Sequence, residues 1–203
     1  MPFSIKLSDC QVEQLLTYNG LLFRWNKKIN LTAIEDPEES VVGHFAESFF
    51  LSTFVKLSGR LLYVGTGAGF PGMALKLLCP NLEVCLLEPI AKKRAFLKEV
   101  ARTCEFASVE VAGKTLDEFI PEARRKPNDY LTIRAVGNLK HLLPQAVQSL
   151  KIDGCLCLWA GSSQVSEIHG LDIQVHWKQP VRIPMSRERQ ILVGKVLPKA
   201  PNA

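Results

Sequence analysis

Hydrophobic residues follow two different patterns along the chain. Up to residue 57 they recur every three or four positions, as at Val12, Leu15 and Leu16 and again from Glu38 to Phe50. This spacing predicts amphipathic helices, and an Asp-Pro pair just ahead of the second one is typical of a helix N-terminus. We therefore predict an N-terminal helical extension over residues 1–57.

After residue 59, short apolar segments alternate with helical patterns. The apolar segments read LLYVG, VCLLE, VEVAG, YLTIRAV and CLCLWAG, and the helical patterns include Met73–Leu78, Ala91–Cys104 and Leu139–Leu150. Such alternation is typical of an α/β fold, in which helices flank both faces of a mainly parallel sheet. A Ser-Gly pair ahead of the first strand interrupts the pattern, so the α/β domain is predicted over residues 58–203.

A glycine-rich turn, YVGTGAGFPG, follows the first predicted strand. Gly65, Gly67 and Gly69 allow positive φ angles and let a ligand approach the backbone closely. Pro71 suits the first turn of the next helix, whose N-terminus faces the same place. Because ligands bind at the carboxyl edge of parallel strands, the turn is predicted to bind a nucleotide-like cofactor.

The spacing of the glycines separates the nucleotide classes. Phe70 stands where the dinucleotide fingerprint G-x-G-x-x-G has its third glycine, and no G-K-[ST] follows, which excludes a phosphate-binding loop. Glu88 ends the second predicted strand about 20 residues further on, where its two oxygens can accept both hydroxyls of a ribose. A G-x-G-x-G turn with such an acid resembles the Rossmann-like methyltransferases that use S-adenosylmethionine (AdoMet).

Composition and charge add few constraints. The chain of 203 residues is 47% hydrophobic and 22% charged, enough for one sizeable core. No apolar run reaches the roughly 18 residues of a membrane span, and the N-terminus has no signal-peptide pattern, so a soluble cytoplasmic protein is expected. The six cysteines lack CxxC spacing and predict buried thiols rather than a metal site, and a net charge of +5 permits a nucleic-acid partner without requiring one.

Longer segments of the chain resemble one family. RWNKKINLTAIEDPEESVVGHFAES, followed by VGTGAGFPG, LLEPIAKKRAFL, IRAVGNL and RERQILV, resembles the RsmG (GidB) family of bacterial methyltransferases. The first segment is the most specific, because a generic methyltransferase has no reason to carry WNKKINLT ahead of its first strand. The resemblance implies a Rossmann-like class I AdoMet methyltransferase fold. It also implies methyl transfer to N7 of a guanosine in 16S rRNA or the small ribosomal subunit, by a monomer without a metal.

The resemblance also implies which residues form the site. The residues expected to bind AdoMet are Gly65, Thr66, Gly67, Gly69, Phe70, Glu88, Leu116, Asp117 and Arg134. Those expected to contact RNA are Lys28, Asn30, Arg134 and Arg189. Asn30 and Thr32 are also ordinary cap and turn residues, and His44 is either a contact to RNA or cofactor or a hydrogen-bonded part of the scaffold.

Arg134 is the first choice for a catalytic residue, because it follows the fourth predicted strand. Guanine N7 carries a lone pair in the neutral base, so the reaction needs in-line positioning and no general base. We expect Arg134 to bind O6 or a phosphate and to leave N7 free. The alternative is a structural ion pair, for example with Glu47.

Three basic clusters and three departures from the family pattern complete the sequence evidence. The basic clusters are Lys27–Lys28, Lys92–Arg94 and Arg124–Lys126. Each of them is a solvated face or, if two of them border one cleft, part of a phosphate-binding track. Tyr63 and Ala160 stand where the family usually has Asp and Lys, and Lys114 replaces an Arg. The departures keep open a catalytically impaired relative that binds RNA or the ribosome. A Rossmann oxidoreductase is a further alternative, disfavoured by the glycine spacing.

Overall fold

A computed structural model describes residues 3–135 and 137–198, and its centre is one eight-stranded sheet. The strands are β1 Arg60–Val64, β2 Glu83–Leu87, β3 Val109–Ala112, β4 Asn128–Arg134, β5 Leu150–Gly161, β6 Val175–Trp177, β7 Val181–Arg182 and β8 Arg189–Val196. Their order is β3-β2-β1-β4-β5-β8-β6, with β7 also paired to β8. The pairs among β1 to β5 are parallel, and those of β8 are antiparallel. The predicted mainly parallel sheet is confirmed.

Helices cover both faces of this sheet, as predicted. They are α1 Asp9–Ile29, α2 Pro37–Ser40, α3 Glu47–Phe49, α4 Gly72–Leu78, α5 Ala91–Thr103, α6 Leu116–Arg125, α7 Leu139–Gln148 and α8 Ser162–His169. One core cluster joins the first face to α1, α4 and α5, and a second joins the other face to α6, α7 and α8. Since α1 shares its core with β1 and α4, the helical extension packs directly on the sheet. The division after residue 57 stays a prediction.

The N-terminal helices begin where the capping residues predict. Ser8 and Gln11 form a capping box at the start of α1, and the Asp36 side chain accepts the N–H of Glu39 at the start of α2. The helix predicted over Glu38–Phe50 is continuous but irregular. A π-helical turn, Val41–Ala46, separates α2 from α3, and a 3₁₀ turn follows.

Several details differ from the sequence predictions. Pro71 is the N-cap of α4, immediately ahead of the first turn in which it was expected, and Leu150 begins β5 instead of ending α7. The helices α6 and α8 were not predicted; α6 contains Pro121, which obscures its pattern. All six cysteines are free thiols, but Cys10 is exposed rather than buried. Within the described residues, no helix is long and apolar enough to span a bilayer, and no cluster of His, Cys, Asp and Glu is suited to a metal.

Candidate functional site

The glycine turn lies at the carboxyl edge of the sheet, between β1 and α4, next to the point where the strand order reverses. The φ angles of Gly65, Gly67 and Gly69 are 69°, 51° and 93°, as the sequence predicts. A Cβ atom on Gly69 would lie 2.3 Å from the hydroxyl oxygen of Tyr18. Glycine is therefore required at this position both by conformation and by space.

Two buried tyrosines hold the carbonyl groups of the turn from inside. The hydroxyl of Tyr18, on α1, donates to the carbonyl oxygen of Ala68 over 2.5 Å, and the hydroxyl of Tyr63 donates to that of Phe70. Burial raises the pKa of both phenols, so both remain protonated donors. The sequence did not distinguish Tyr18 from an ordinary core residue of an amphipathic helix.

Glu88 holds the same turn from the side of β2. Its Oε2 atom accepts the N–H of Gly67 over 2.8 Å, and its Oε1 atom accepts the N–H of Ile90 over 2.9 Å. The residue is 3% exposed. Each carboxylate oxygen keeps a second lone pair for a ribose hydroxyl. The predicted ribose contact therefore stays a prediction, with the additional role of bracing the turn now evident.

A cavity of about 340 Å³ opens beside the turn, within the size range of small-molecule sites. The turn contributes Thr66 and Phe70, the N-terminal segment contributes Thr32 and His44, and Lys93 and Arg134 complete the rim. A depression of about 800 Å³ at the opposite edge of the sheet is larger, but it is lined mainly by apolar residues such as Ile152 and Val196. The smaller cavity is the one that the glycine turn borders, and it is therefore the candidate site.

His44 is a neutral ring in the wall of this cavity. It stacks on Phe70 with a centroid distance of 4.6 Å, and its Nε2 atom is hydrogen-bonded to Thr32 Oγ1 over 2.7 Å. Burial, with smaller contributions from Arg134 and Arg189, lowers the pKa of His44 to about 4. The imidazole is therefore uncharged at neutral pH.

Asn26, which the sequence analysis did not single out, shapes the loop that carries Thr32. Its Oδ1 atom accepts the N–H groups of Leu31 and Thr32 over 2.6 and 2.9 Å, and its Nδ2 atom donates to the carbonyl oxygen of Thr32 over 3.0 Å. The only sequence signal for this role was its place in the WNKKINLT segment. These three bonds hold Thr32 beside His44.

Arg134 forms the ion pair that the sequence left as its alternative role. Its Nη2 atom donates to Glu47 Oε2 over 3.2 Å and to the carbonyl oxygen of Gly43 over 2.9 Å. Arg189 binds the other carboxylate oxygen of Glu47 over 2.7 Å. Burial raises the pKa of Glu47, and the two arginines oppose that shift. The Nη1 atom of Arg134 is buried at the edge of the cavity and has no hydrogen-bond partner among the described residues.

Only some of the predicted site residues line the cavity. Those that line it are Gly65, Thr66, Gly67, Phe70 and Arg134, and those that do not are Lys28, Asn30, Gly69, Glu88, Leu116, Asp117 and Arg189. Asn30 is the left-handed cap of α1, with a φ of 49°. Leu116 is buried in the core on the other face of the sheet, and the exposed Asp117 lies 3.5 Å from His141. The predicted ligand contacts of these residues stay predictions.

The three departures from the family pattern have definite surroundings. Tyr63 lines the cavity, and its ring lies so close to Gly72 that a Cβ atom there would be 2.7 Å from Cδ1 of the ring. Ala160 is buried in β5. Lys114 forms an exposed ion pair with Glu122. No carboxylate therefore takes the place of Tyr63 in the described wall of the cavity.

Comparison with known proteins agrees with this geometry. Residues 11–192 match the GidB family, described as rRNA small subunit methyltransferase G. Ribosomal RNA small subunit methyltransferase G of Alkaliphilus oremlandii is 34% identical over 168 residues, which cover 81% of this chain and 70% of that protein. The protein of the same name from Xylella fastidiosa (strain 9a5c) is 36% identical over 196 residues, which cover 93% and 88%.

Solved structures add evidence on the fold. The ribosomal protein L11 methylase of Lactobacillus delbrueckii subsp. bulgaricus superposes with a TM-score of 0.61 at 16% identity, over 76% of this chain and 79% of that one. A chain of the fibrillarin/Nop5p complex gives 0.59 at 15% identity, over 75% and 80%. At this identity the likeness concerns the fold alone, whereas the family match covers most of the sequence. The chain therefore belongs to the GidB family, the rRNA small subunit methyltransferase G proteins.

Proposed function

We propose that this chain transfers the methyl group of AdoMet to N7 of a guanosine in 16S rRNA, as a cytoplasmic monomer. The observation that carries the proposal is the match of residues 11–192 to the rRNA small subunit methyltransferase G family. The cavity beside the positive-φ glycine turn supports a site for the cofactor. The family match gives no support to the oxidoreductase alternative.

The residues at the cavity fit AdoMet. The backbone of Gly65 and Gly67 is open to a ligand, and the second lone pairs of Glu88 suit ribose hydroxyls. Three buried polar atoms of residues that line the cavity, His44 Nδ1, Thr66 Oγ1 and Arg134 Nη1, lack a partner within the described residues. Buried polar groups are normally hydrogen-bonded, so these atoms indicate a polar ligand. Bound there, AdoMet supplies an electrophilic methyl group on a sulfonium.

The chain's own residues have to position the guanine and need not remove a proton from it. Arg134 Nη1 can donate to O6 or to a phosphate and leave the N7 lone pair free. His44 is neutral at pH 7 and so adds no charge beside a cationic cofactor or a methylated, positively charged base. Glu47 offsets one of the two nearby arginine charges.

Two of the three basic clusters support an RNA track at this cavity. Lys93 lines the cavity, and Lys27–Lys28 lie in the last turn of α1, just before the cavity residues Leu31 and Thr32. The cluster Arg124–Lys126 lies at the opposite edge, where Lys126 pairs with the first residue of β2. We propose that the first two clusters bind RNA phosphates and that the third does not.

A catalytically impaired relative is the second candidate, because the phenol of Tyr63 takes the place of a carboxylate and is bonded to Phe70. A methylation assay separates the two candidates. The purified protein is incubated with AdoMet and with 16S rRNA or small subunits from a strain that lacks it, and N7-methylguanosine is mapped by chemical cleavage. One new modified guanosine is expected. AdoMet binding by titration calorimetry without any methylation would favour the impaired relative, and size-exclusion chromatography with light scattering tests the monomer.

A further inference from the structure

The π-helical turn between α2 and α3 leaves one backbone carbonyl without its usual N–H partner in the helix, so that a side chain can bond to it. The N–H of Glu47 bonds to the carbonyl oxygens of His44 and Val42. The carbonyl oxygen of Gly43, its partner in a regular α-helix, accepts Nη2 of Arg134 over 2.9 Å instead. Turns of this kind occur often at functional sites. The irregular helix thus provides the first of two anchors for the Arg134 guanidinium.

The carboxylate of Glu47 provides the second anchor. One of its oxygens binds Arg134 at 3.2 Å and the other binds Arg189 at 2.7 Å, and its side chain is only 4% exposed. Its backbone carbonyl accepts the indole N–H of Trp159 on β5 over 3.2 Å, which ties α3 to the sheet. Arg134 ends β4 and Arg189 begins β8, on either side of β5. Glu47 therefore bonds to residues of three adjacent strands, β4, β5 and β8, at the carboxyl edge of the sheet.

This arrangement restricts what Arg134 can present to a ligand. Its Nη2 atom is bonded to Gly43 and Glu47, whereas Nη1 has no partner in the part of the chain that the structure describes, and the side chain borders the cavity. Without the carboxylate, the guanidinium groups of Arg134 and Arg189 would repel each other. Both the direction of Nη1 and the spacing of the two arginines thus depend on one side chain.

We infer that Glu47 is a positioning residue, which holds Nη2 of Arg134 so that Nη1 faces the substrate. It acts through Arg134 and does not itself touch the substrate. The effect expected on methylation rests on the proposed function, but the position of the guanidinium does not. The inference therefore has a readout that is independent of activity.

That readout is the NMR spectrum of the Arg134 side chain. Rotation about the Nε–Cζ bond is slowed when one Nη atom is held by an ion pair, so the parent should give two resolved ¹⁵Nη signals, assigned with Arg134→Lys. In Glu47→Gln only neutral acceptors remain for Nη2, so rotation should be faster, and the two signals should merge at a temperature where those of the parent are still resolved. If Glu47→Gln does not fold, Glu47→Gln with Arg189→Gln keeps the local charge of the parent and should show the same merging. Merged signals in the parent, or resolved signals in the folded variants, would overturn the inference.

A double-mutant cycle tests the consequence for methylation. Glu47→Gln should lower kcat/KM for RNA by about tenfold or more, within the range for groups of one ion-pair network. In an Arg134→Ala background it should change the rate by less than about threefold, because its effect passes through Arg134. Equal losses in both backgrounds, or no loss in the parent, would contradict a positioning role.

A matched control uses Glu83→Gln, which removes a carboxylate paired with Lys126 at the opposite edge of the sheet. This variant should retain both the resolved Arg134 signals and the parent rate. If the parent gives resolved signals that merge in Glu47→Gln but methylates no rRNA, the proposed function fails while the positioning role stands.

Discussion

Replacing Glu88 is the most direct test of the cofactor site. Two of the four lone pairs of its carboxylate are taken by the N–H groups of Gly67 and Ile90, at 2.8 and 2.9 Å. The remaining two are expected to accept the ribose hydroxyls of AdoMet. Glu88→Gln keeps the shape of the side chain but replaces one charged acceptor with a donor, while Glu88→Ala removes every bond.

The expected loss of affinity follows from these contacts. A hydrogen bond to a charged group contributes about 1.5–3 kcal/mol net. Glu88→Gln loses the equivalent of one such bond to the ribose, which corresponds to about ten- to a hundredfold weaker binding of AdoMet. Glu88→Ala loses two and should weaken binding by about a hundredfold or more. It also frees the Gly67 amide, so its melting temperature should fall as well.

Titration calorimetry with AdoMet, and with its demethylated product, measures these affinities. An analogue that lacks the ribose hydroxyls provides the matched ligand control, because it reports only the effect of the lost bond to Gly67 or Ile90 and should therefore lose less affinity in Glu88→Gln than AdoMet does. Unchanged AdoMet affinity in both folded variants would refute the assignment of Glu88 to the ribose. A loss that is the same for AdoMet and for the analogue would show that Glu88 acts only by bracing the glycine turn.

Three further predictions concern the walls of the cavity and the glycine turn beside it. Tyr63→Asp should tighten AdoMet binding but lower the melting temperature, since a buried ring is lost; calorimetry that finds weaker binding in the folded variant would show that the ring itself supports the site. The pKa of His44 is about 4 in the folded state and 6.5 in the unfolded state, so its neutral ring contributes fully to stability above pH 6.5. As the pH falls from 6.5 towards 4, the free energy of unfolding should decrease by at most about 3 kcal/mol. Urea unfolding should show that His44→Gln reduces this pH dependence, and an unchanged slope would contradict it. Gly69→Ala places a Cβ atom 2.3 Å from the hydroxyl oxygen of Tyr18, whereas a Cβ atom on Gly67 meets no described atom within 4 Å. Thermal unfolding of the two alanine variants should therefore show the larger loss of stability for Gly69→Ala, and equal losses would mean that φ strain alone matters.

Local sequence signals predict the sheet and the cofactor turn well. The apolar segments mark the parallel strands because a strand buried on both faces has few polar positions. The spacing of Gly65, Gly67 and Gly69 predicts their positive φ angles, because glycine adopts them with little steric cost. The distance of Glu88 from the turn predicts that the two are neighbours, since consecutive parallel strands end at the same edge.

Contacts between distant segments are the part that local patterns do not encode. Arg134 and Glu47 are 87 positions apart, and the sequence could offer their ion pair only as one alternative. The π-helical turn has the same apolar spacing as an α-helix, so the pattern does not show that the carbonyl oxygen of Gly43 accepts a hydrogen bond from Arg134. Tyr18 occupies an ordinary buried position of α1, and only the fold brings its hydroxyl to Ala68.

The segment that carries the family likeness builds the part of the cavity that a Rossmann-like core cannot supply. Trp25 ties α1 to α5 through its indole N–H and Glu99, over 2.9 Å. Asn26, beside it, folds the chain after α1 so that Thr32 meets His44. The glycine turn and the strand-end acid suffice for a nucleoside, and they recur in many methyltransferases. What this chain adds is a wall from outside the sheet that meets Arg134 at the cavity, and we propose that this wall selects the base.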